Sequence, residues 1–166
     1  MSRFSLLPAG ANRVIYTRNH DTSWFYHFNG YTPRFLAFEA INALCGIPEI
    51  FTGDPNHGPN PDDDAATWQF YKKLFALRRQ HPALIYGDLQ PYAVKSSNPM
   101  VFAAIKQAEQ ERCLVLVSLS EQPFETTLVI DSFRGAVLSD LNGQKIHLTE
   151  PQIKLQPFQV LVGQLD

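Results

Sequence analysis

Asn19, His20 and Asp21 form a polar triplet that follows a short apolar run and precedes an aromatic cluster. The Asp21 carboxylate can accept hydrogen bonds from two hydroxyl groups, and the His20 imidazole can donate one. An acid and an imidazole side by side can therefore hold a polyhydroxylated ligand. The triplet can equally be an ordinary loop, in which Asn19 and Asp21 cap a turn and His20 is merely exposed. Because short motifs match by chance, the flanking elements must decide between the two interpretations.

The elements around the triplet predict a strand, a helix and a second strand. Residues 14–16 are Val, Ile and Tyr, which are typical of a short buried strand. Thr32 is an N-cap candidate followed by Pro33, and this pair predicts a helix that runs to about Cys45. Residues 47–51 then indicate a second buried strand. This order predicts a βαβ unit with parallel strands, whose carboxyl ends share one rim.

Five acidic residues besides Asp21 are candidates for function in this part of the chain. Asp54 closes the second strand and is expected on the same rim as Asp21. Glu49 interrupts the apolar strand, which marks a functional site unless the carboxylate pairs with an arginine such as Arg18. Residues 62–64 are three aspartates that could offer oxygens to a hard cation. Consecutive acids converge poorly on one ion, so we expect them to cap a helix over 65–80 instead, and no metal site is predicted.

Three patterns occur in an order that resembles the α-amylase family of glycoside hydrolases. They are the triplet after a short strand, GIPEIFTGD at 46–54 and LRRQHPAL at 77–84. The resemblance covers about residues 13–120 well and corresponds to the last two strand-helix units of the catalytic barrel and the C-terminal β-domain. It implies an α/β plus all-β architecture: a partial (β/α)8 TIM-barrel segment over 1–83 and an antiparallel β-sandwich over 84–166. At the position after Asp54, where that family often has a glutamate, this chain has Pro55.

The resemblance also implies roles for individual residues. Such enzymes use a retaining mechanism with an aspartate nucleophile and a glutamate general acid/base, while a second aspartate holds substrate hydroxyls. Asp21 matches that second aspartate, a transition-state stabiliser, and His20 matches the histidine that contacts the same sugar. The remaining substrate-binding candidates are Asn19, Trp24, Tyr26 and Asp54. The nucleophile and acid/base segments lie upstream in that family, so we expect this chain to be inactive alone.

The sequence from residue 84 onward changes to short strands separated by turn signals such as Asn142-Gly143. This spacing is typical of an antiparallel sandwich. The predicted strands are 89–94, 101–106, 113–118, 126–130, 136–138, 145–148 and 158–162.

The composition excludes several classes of protein. Hydrophobic residues make up 45% and charged residues 18% of the 166 residues, as in a globular protein. The formal net charge of −2 and the absence of a basic cluster argue against nucleic acid or a membrane as partner. Cys45 and Cys113 are predicted to be buried free thiols. No cofactor and no signal peptide are expected, which favours a cytoplasmic location.

Two hypotheses from different classes follow. The first is an enzyme segment of glycoside hydrolase or transglycosylase type, acting on an α-glucan or oligosaccharide. The second is a non-catalytic module that binds carbohydrate or another protein. Two parallel strands cannot close an eight-stranded barrel, so a complementary upstream barrel fragment or self-association is expected under the first.

Overall fold

The computed structural model describes residues 14–15, 32–48, 61–90, 92–109 and 111–166. Three helices lie in these ranges: Pro33–Cys45 (α1), Pro61–Arg79 (α2) and Pro82–Tyr86 (α3). The first four strands are Val14–Ile15 (β1), Ile47–Pro48 (β2), Asp88–Gln90 (β3) and Val94–Ser96 (β4). The strands that follow are Val101–Ala108 (β5), Glu111–Ser118 (β6), Phe124–Ile130 (β7), Ala136–Asp140 (β8), Lys145–Leu148 (β9), Gln152–Leu155 (β10) and Val160–Leu165 (β11).

The strand-helix-strand order and the parallel pairing predicted from the sequence are confirmed. β1 and β2 pair in parallel, with Val14 opposite Ile47 and Ile15 opposite Pro48. The connecting helix α1 begins where the N-cap was predicted, because the Thr32 hydroxyl accepts a 3.2 Å hydrogen bond from the backbone N–H of Phe35. It ends at Gly46, whose N–H donates to the Asn42 carbonyl over 2.9 Å.

The second helix differs from its prediction at its start. α2 begins at Pro61. The first backbone N–H groups of a helix have no acceptor within the helix, so the N–H that proline lacks is not missed at this position. The backbone of residues 62–64 is therefore helical, and the prediction that these aspartates cap a helix starting at 65 was wrong. Pro82 ends α2, as expected, but it also begins the short helix α3, which was not predicted.

The chain from β3 onward forms two antiparallel sheets. One has six strands in the order β3-β5-β6-β11-β8-β9, and the other has three in the order β10-β7-β4. The predicted antiparallel architecture of this region is confirmed, with two differences in detail. The predicted strand 89–94 is two separate strands, each pairing in a different sheet. Strand β10 was missed, although its alternation of buried Ile153 and Leu155 with exposed Gln152 and Lys154 is a strand pattern.

The six-stranded sheet is covered on both faces. In β6, Cys113, Val115 and Val117 belong to a core shared with the helices. Leu114 and Leu116, which alternate with them, belong to a second core shared with the three-stranded sheet. In the part of the chain that the structure describes, the six-stranded sheet thus lies between the helices and the three-stranded sheet.

Helix α1 packs small side chains against the sheet. Ala37, Ala40 and Leu44 are at most 1% exposed and lie in the core between helices and sheet. Phe38 of α1 and Trp68 of α2 recur at helical spacing with buried apolar residues of their helices, but they are 44% and 39% exposed. Other large side chains, Phe35 of α1 and Tyr71 and Leu74 of α2, are buried, so side-chain size does not decide which apolar residues of the helices are covered.

The shared core makes a prediction about cooperativity. Leu44→Ala should lower the free energy of unfolding of the whole chain by about 2–5 kcal/mol, because it leaves a cavity in a fully buried site. Urea unfolding followed by circular dichroism should retain one transition. Phe38→Ala, on the same helix, should cost about 1 kcal/mol or less. A Leu44→Ala variant whose β-sheet signal unfolds at the wild-type urea concentration would contradict the shared core.

Candidate functional site

The predicted site residues lie outside the described residues. This applies to the following set: Asn19, His20, Asp21, Trp24, Tyr26, Glu49 and Asp54. The structure does describe the start of both strands that lead to them. β1 and β2 run parallel over the described residues, with Val14 opposite Ile47 and Ile15 opposite Pro48. Their roles remain predictions, and the parallel pairing is the geometry on which those predictions depend.

Arg78 fixes the junction between α1 and β2. Its Nε donates a 2.8 Å hydrogen bond to the carbonyl of Ala43, and its Nη2 donates one of 3.3 Å to the carbonyl of Gly46. The last carbonyls of a helix lack intrahelical donors, and a cation at this end also complements the helix dipole. Partial burial lowers the pKa of the guanidinium. Arg78 thereby fixes the point at which the chain leaves α1 and enters β2.

His81 and Ala83 connect the helices to the central sheet through Glu111. The Oε2 atom of Glu111 accepts a 2.7 Å hydrogen bond from the backbone N–H of Ala83, in the first turn of α3. Its Oε1 atom lies 3.0 Å from Nδ1 of His81. Both side chains of this pair are largely buried, at 16% and 20% exposure. The pattern LRRQHPAL thus carries positioning contacts: Arg78 holds α1, and His81 and Ala83 hold β6.

Three further polar contacts involve the helices: one joins α2 to α1, and two join the helices to loops of the β-region. The buried Tyr71 hydroxyl of α2 donates a 3.0 Å hydrogen bond to Oε2 of Glu39 on α1. Lys73 of α2 donates a 2.8 Å hydrogen bond to Oδ1 of Asn142, in the turn after β8. Arg34 of α1 forms an exposed ion pair with Glu121. The helical layer is therefore attached to the sheet at several points as well as through the apolar core.

The reactive side chains at this junction are too deeply buried to act on a substrate. Lys106 is 0% exposed, and burial lowers the pKa of its ammonium group. Cys45 and Cys113 are free and buried, as predicted. Burial raises the pKa of the Cys45 thiol to about 12 and raises that of Cys113 as well, so both stay protonated at neutral pH.

The described residues supply neither a metal site nor a membrane segment. Within these ranges, no group of three His, Cys, Asp or Glu side chains could hold a metal ion. Within the same ranges, no helix is long and apolar enough to cross a membrane.

Comparison with known proteins finds a curated relative and several similar solved structures. The chain is 28% identical over 117 residues to a palatinase of Erwinia rhapontici, a match that covers 69% of this chain and 21% of the palatinase. The fold matches a maltogenic α-amylase of Thermotoga neapolitana with a TM-score of 0.74 and 14% identity, over 98% of this chain and 43% of that one. An isomaltulose synthase of Erwinia rhapontici matches with a TM-score of 0.50 and 26% identity, over 64% of this chain and 21% of the synthase. No family model matches the sequence.

These similarities confirm the resemblance drawn from the sequence. The chain is similar to the C-terminal part of α-amylase-family glycoside hydrolases and related transglycosylases. It spans about a fifth of the length of the curated relative that it matches.

The Glu111 contacts predict a measurable contribution to stability. Glu111→Ala should lower the free energy of unfolding by about 1–3 kcal/mol, because it leaves the N–H of Ala83 and the His81 ring without their acceptor in a partly buried site. Glu121→Ala is the matched control, since its side chain is 66% exposed and its ion pair with Arg34 should be worth about 1 kcal/mol or less. Equal losses in urea unfolding would show that Glu111 does not link the layers.

Proposed function

We propose that this chain forms the C-terminal portion of an α-amylase-like enzyme, a glycoside hydrolase or transglycosylase that acts on α-glucans or related α-glucosides. In this proposal, residues 1–83 contribute the last two strand-helix units of a (β/α)8 barrel. Residues 84–166 form the β-domain that follows it. The substrate is a carbohydrate, bound at the rim of the barrel.

One observation carries the proposal more than any other. The three sequence patterns that resemble the α-amylase family lie on this chain. Its fold matches a maltogenic α-amylase over 98% of this chain and 43% of that one. The parallel pairing of β1 and β2 adds support, because a βαβ unit is the building block of such a barrel. The similarity to a palatinase and an isomaltulose synthase favours small α-glucosides among the substrates.

In the proposed site, Asp21 and His20 hold the hydroxyls of the sugar that reacts. The hydrogen bonds that Asp21 accepts would tighten as the sugar distorts toward an oxocarbenium-like transition state. Asn19, Trp24, Tyr26 and Asp54 would line the same rim and contact substrate. The nucleophile and the general acid/base would come from upstream barrel strands, so this chain alone is expected to have no turnover.

Complementation tests the enzyme proposal. The chain should show no hydrolysis of maltooligosaccharides or isomaltulose alone, and it should gain activity when a segment with the upstream barrel strands is supplied. In the complemented enzyme, Asp21→Asn should lower kcat by at least about a hundredfold and change KM little, because an interaction made mainly in the transition state is lost. Steady-state kinetics on both substrates would measure this.

Glu121→Gln is the control for that experiment, since it changes an exposed carboxylate of the β-domain. It should leave both kinetic constants within about twofold of the wild type. In one outcome, the chain turns over substrate without the upstream segment and loses that activity in Asp21→Asn. This result would contradict the proposal that the nucleophile and the general acid/base come from upstream barrel strands. Complemented activity that is indifferent to Asp21→Asn would contradict its role. A chain that binds sugar but never becomes active would favour the non-catalytic module.

The exposed apolar side chains of α1 and β2 predict association. Phe38 and Ile47 are each 44% exposed, and β1 and β2 form a sheet of two strands among the described residues. Because an apolar face and open strand edges favour pairing with another chain, we expect the isolated chain to self-associate or to bind the complementary barrel segment. Sedimentation velocity should show oligomers of the isolated chain, and addition of the complementary segment should dissociate them.

Phe38→Ser should weaken that association by at least about tenfold if the ring is buried at the interface. Val129→Ser, which changes a 61% exposed valine of β7 in the three-stranded sheet, is the matched control and should have no effect. A monodisperse monomer that does not bind the complementary segment would contradict the partial-barrel proposal.

A further inference from the structure

A cavity of about 670 Å³ lies between the short helix α3 and the adjoining ends of β3, β5 and β6. One wall is apolar and is formed by Pro82 and Tyr86. The polar wall carries Asp88, Gln107, Glu109 and Glu111, and Ala108 also lines the cavity. The volume is in the range of pockets that bind small molecules.

The position of Tyr86 on the apolar wall depends on the residue that follows it, Gly87. Tyr86 ends α3 and is 74% exposed, which is unusual for so large an aromatic side chain. Gly87 follows it and is packed closely against β5. A Cβ atom at this position would lie 2.4 Å from the Ala83 carbonyl oxygen and 2.8 Å from the Gln107 carbonyl group. Only glycine permits this approach, which holds the Tyr86 ring beside the end of β5.

The polar wall supplies acceptors at separate points rather than one cluster of charge. Glu111 is already bound by His81 and Ala83, so its position is fixed. The Gln107 side chain is oriented by a 3.1 Å hydrogen bond that its Oε1 accepts from Nε2 of Gln90. Glu109 is exposed and has a positive φ of 49° in the turn between β5 and β6, which directs the chain around the cavity. These carboxylates do not converge closely enough to hold a metal ion.

From this arrangement we propose that the Tyr86 cavity is an accessory carbohydrate-binding site. A pyranose has an apolar face of C–H groups and a rim of hydroxyls. The exposed Tyr86 ring would stack on the apolar face, and the Asp88, Gln107 and Glu109 oxygens would accept hydrogen bonds from the hydroxyls. Hydrogen-bond acceptors at separate points of the cavity, together with a flat aromatic ring, match the hydroxyls and the apolar face of a sugar. A compact cation instead needs its acceptors to converge at one point. The choice of an α-glucoside as the sugar rests on the proposed function.

NMR titration of the full-length chain with maltotriose tests the proposal. The amide signals of residues 107–109 should shift and saturate in wild-type protein. Tyr86→Ala should weaken this binding by about fivefold or more, because the stacking surface is lost. Tyr86→Phe keeps the ring and should bind within about twofold of wild type. Tyr92→Ala is the matched control, since Tyr92 is 65% exposed but does not line the cavity, and it should bind normally.

Two further measurements distinguish a sugar site at Tyr86 from a site for an organic cation and from the barrel rim. Methylguanidinium chloride is an organic cation that could also stack on tyrosine, and binding of this probe without binding of maltotriose would overturn the proposal. Glu121→Gln, which changes an exposed carboxylate that does not line the cavity, should leave the titration of residues 107–109 unchanged. A sugar response that is lost in Asp21→Asn but kept in Tyr86→Ala would belong to the barrel rim and would also overturn it. A chain that binds no sugar at Tyr86 but gains activity on complementation would refute only this inference, not the proposed enzyme function.

Discussion

The structure depends on a central sheet that is apolar on both faces. Alternate side chains of β6 are fully buried on opposite sides: Leu114 and Leu116 on one, Cys113, Val115 and Val117 on the other. Burying a side chain of this size stabilises the fold by about 1.5–3 kcal/mol, so neither face can be left to water. The three-stranded sheet covers one face and the helices cover the other. The helical segment is thus required for the stability of the sheet as well as for any site that it helps to build.

This constraint gives the pattern LRRQHPAL its physical meaning. The leucines at both ends, Leu77 and Leu84, are buried in the core between helices and sheet. Between them, Arg78 binds the carbonyls of Ala43 and Gly46, and His81 lies beside Glu111. None of these contacts requires the pattern to perform catalysis. Instead, they attach the end of α1, where β2 begins, and the start of α3 to their neighbouring elements.

Local signals in the sequence predicted those parts of the fold that local interactions determine. Thr32, Pro33 and Gly46 gave the limits of α1, because capping and helix termination depend on neighbouring residues. The exposure of Phe38 and Trp68 could not be predicted, since periodicity shows which residues share a face but not what covers that face. The contacts of Glu111 were missed because they join positions far apart in the sequence. The candidate site, from Asn19 to Asp54, remains a prediction that rests on the resemblance and on the parallel pairing of β1 with β2.

The central claim is that the helices and the two sheets form one cooperative unit built on the doubly covered sheet. Native-state hydrogen exchange of the full-length chain, measured at several low urea concentrations, tests this most directly. The account predicts that the slowest amides of α1 and α2 exchange with the same opening free energy as those of β6 and β11. Helical amides that open at much lower free energy, while the sheet stays protected, would contradict it.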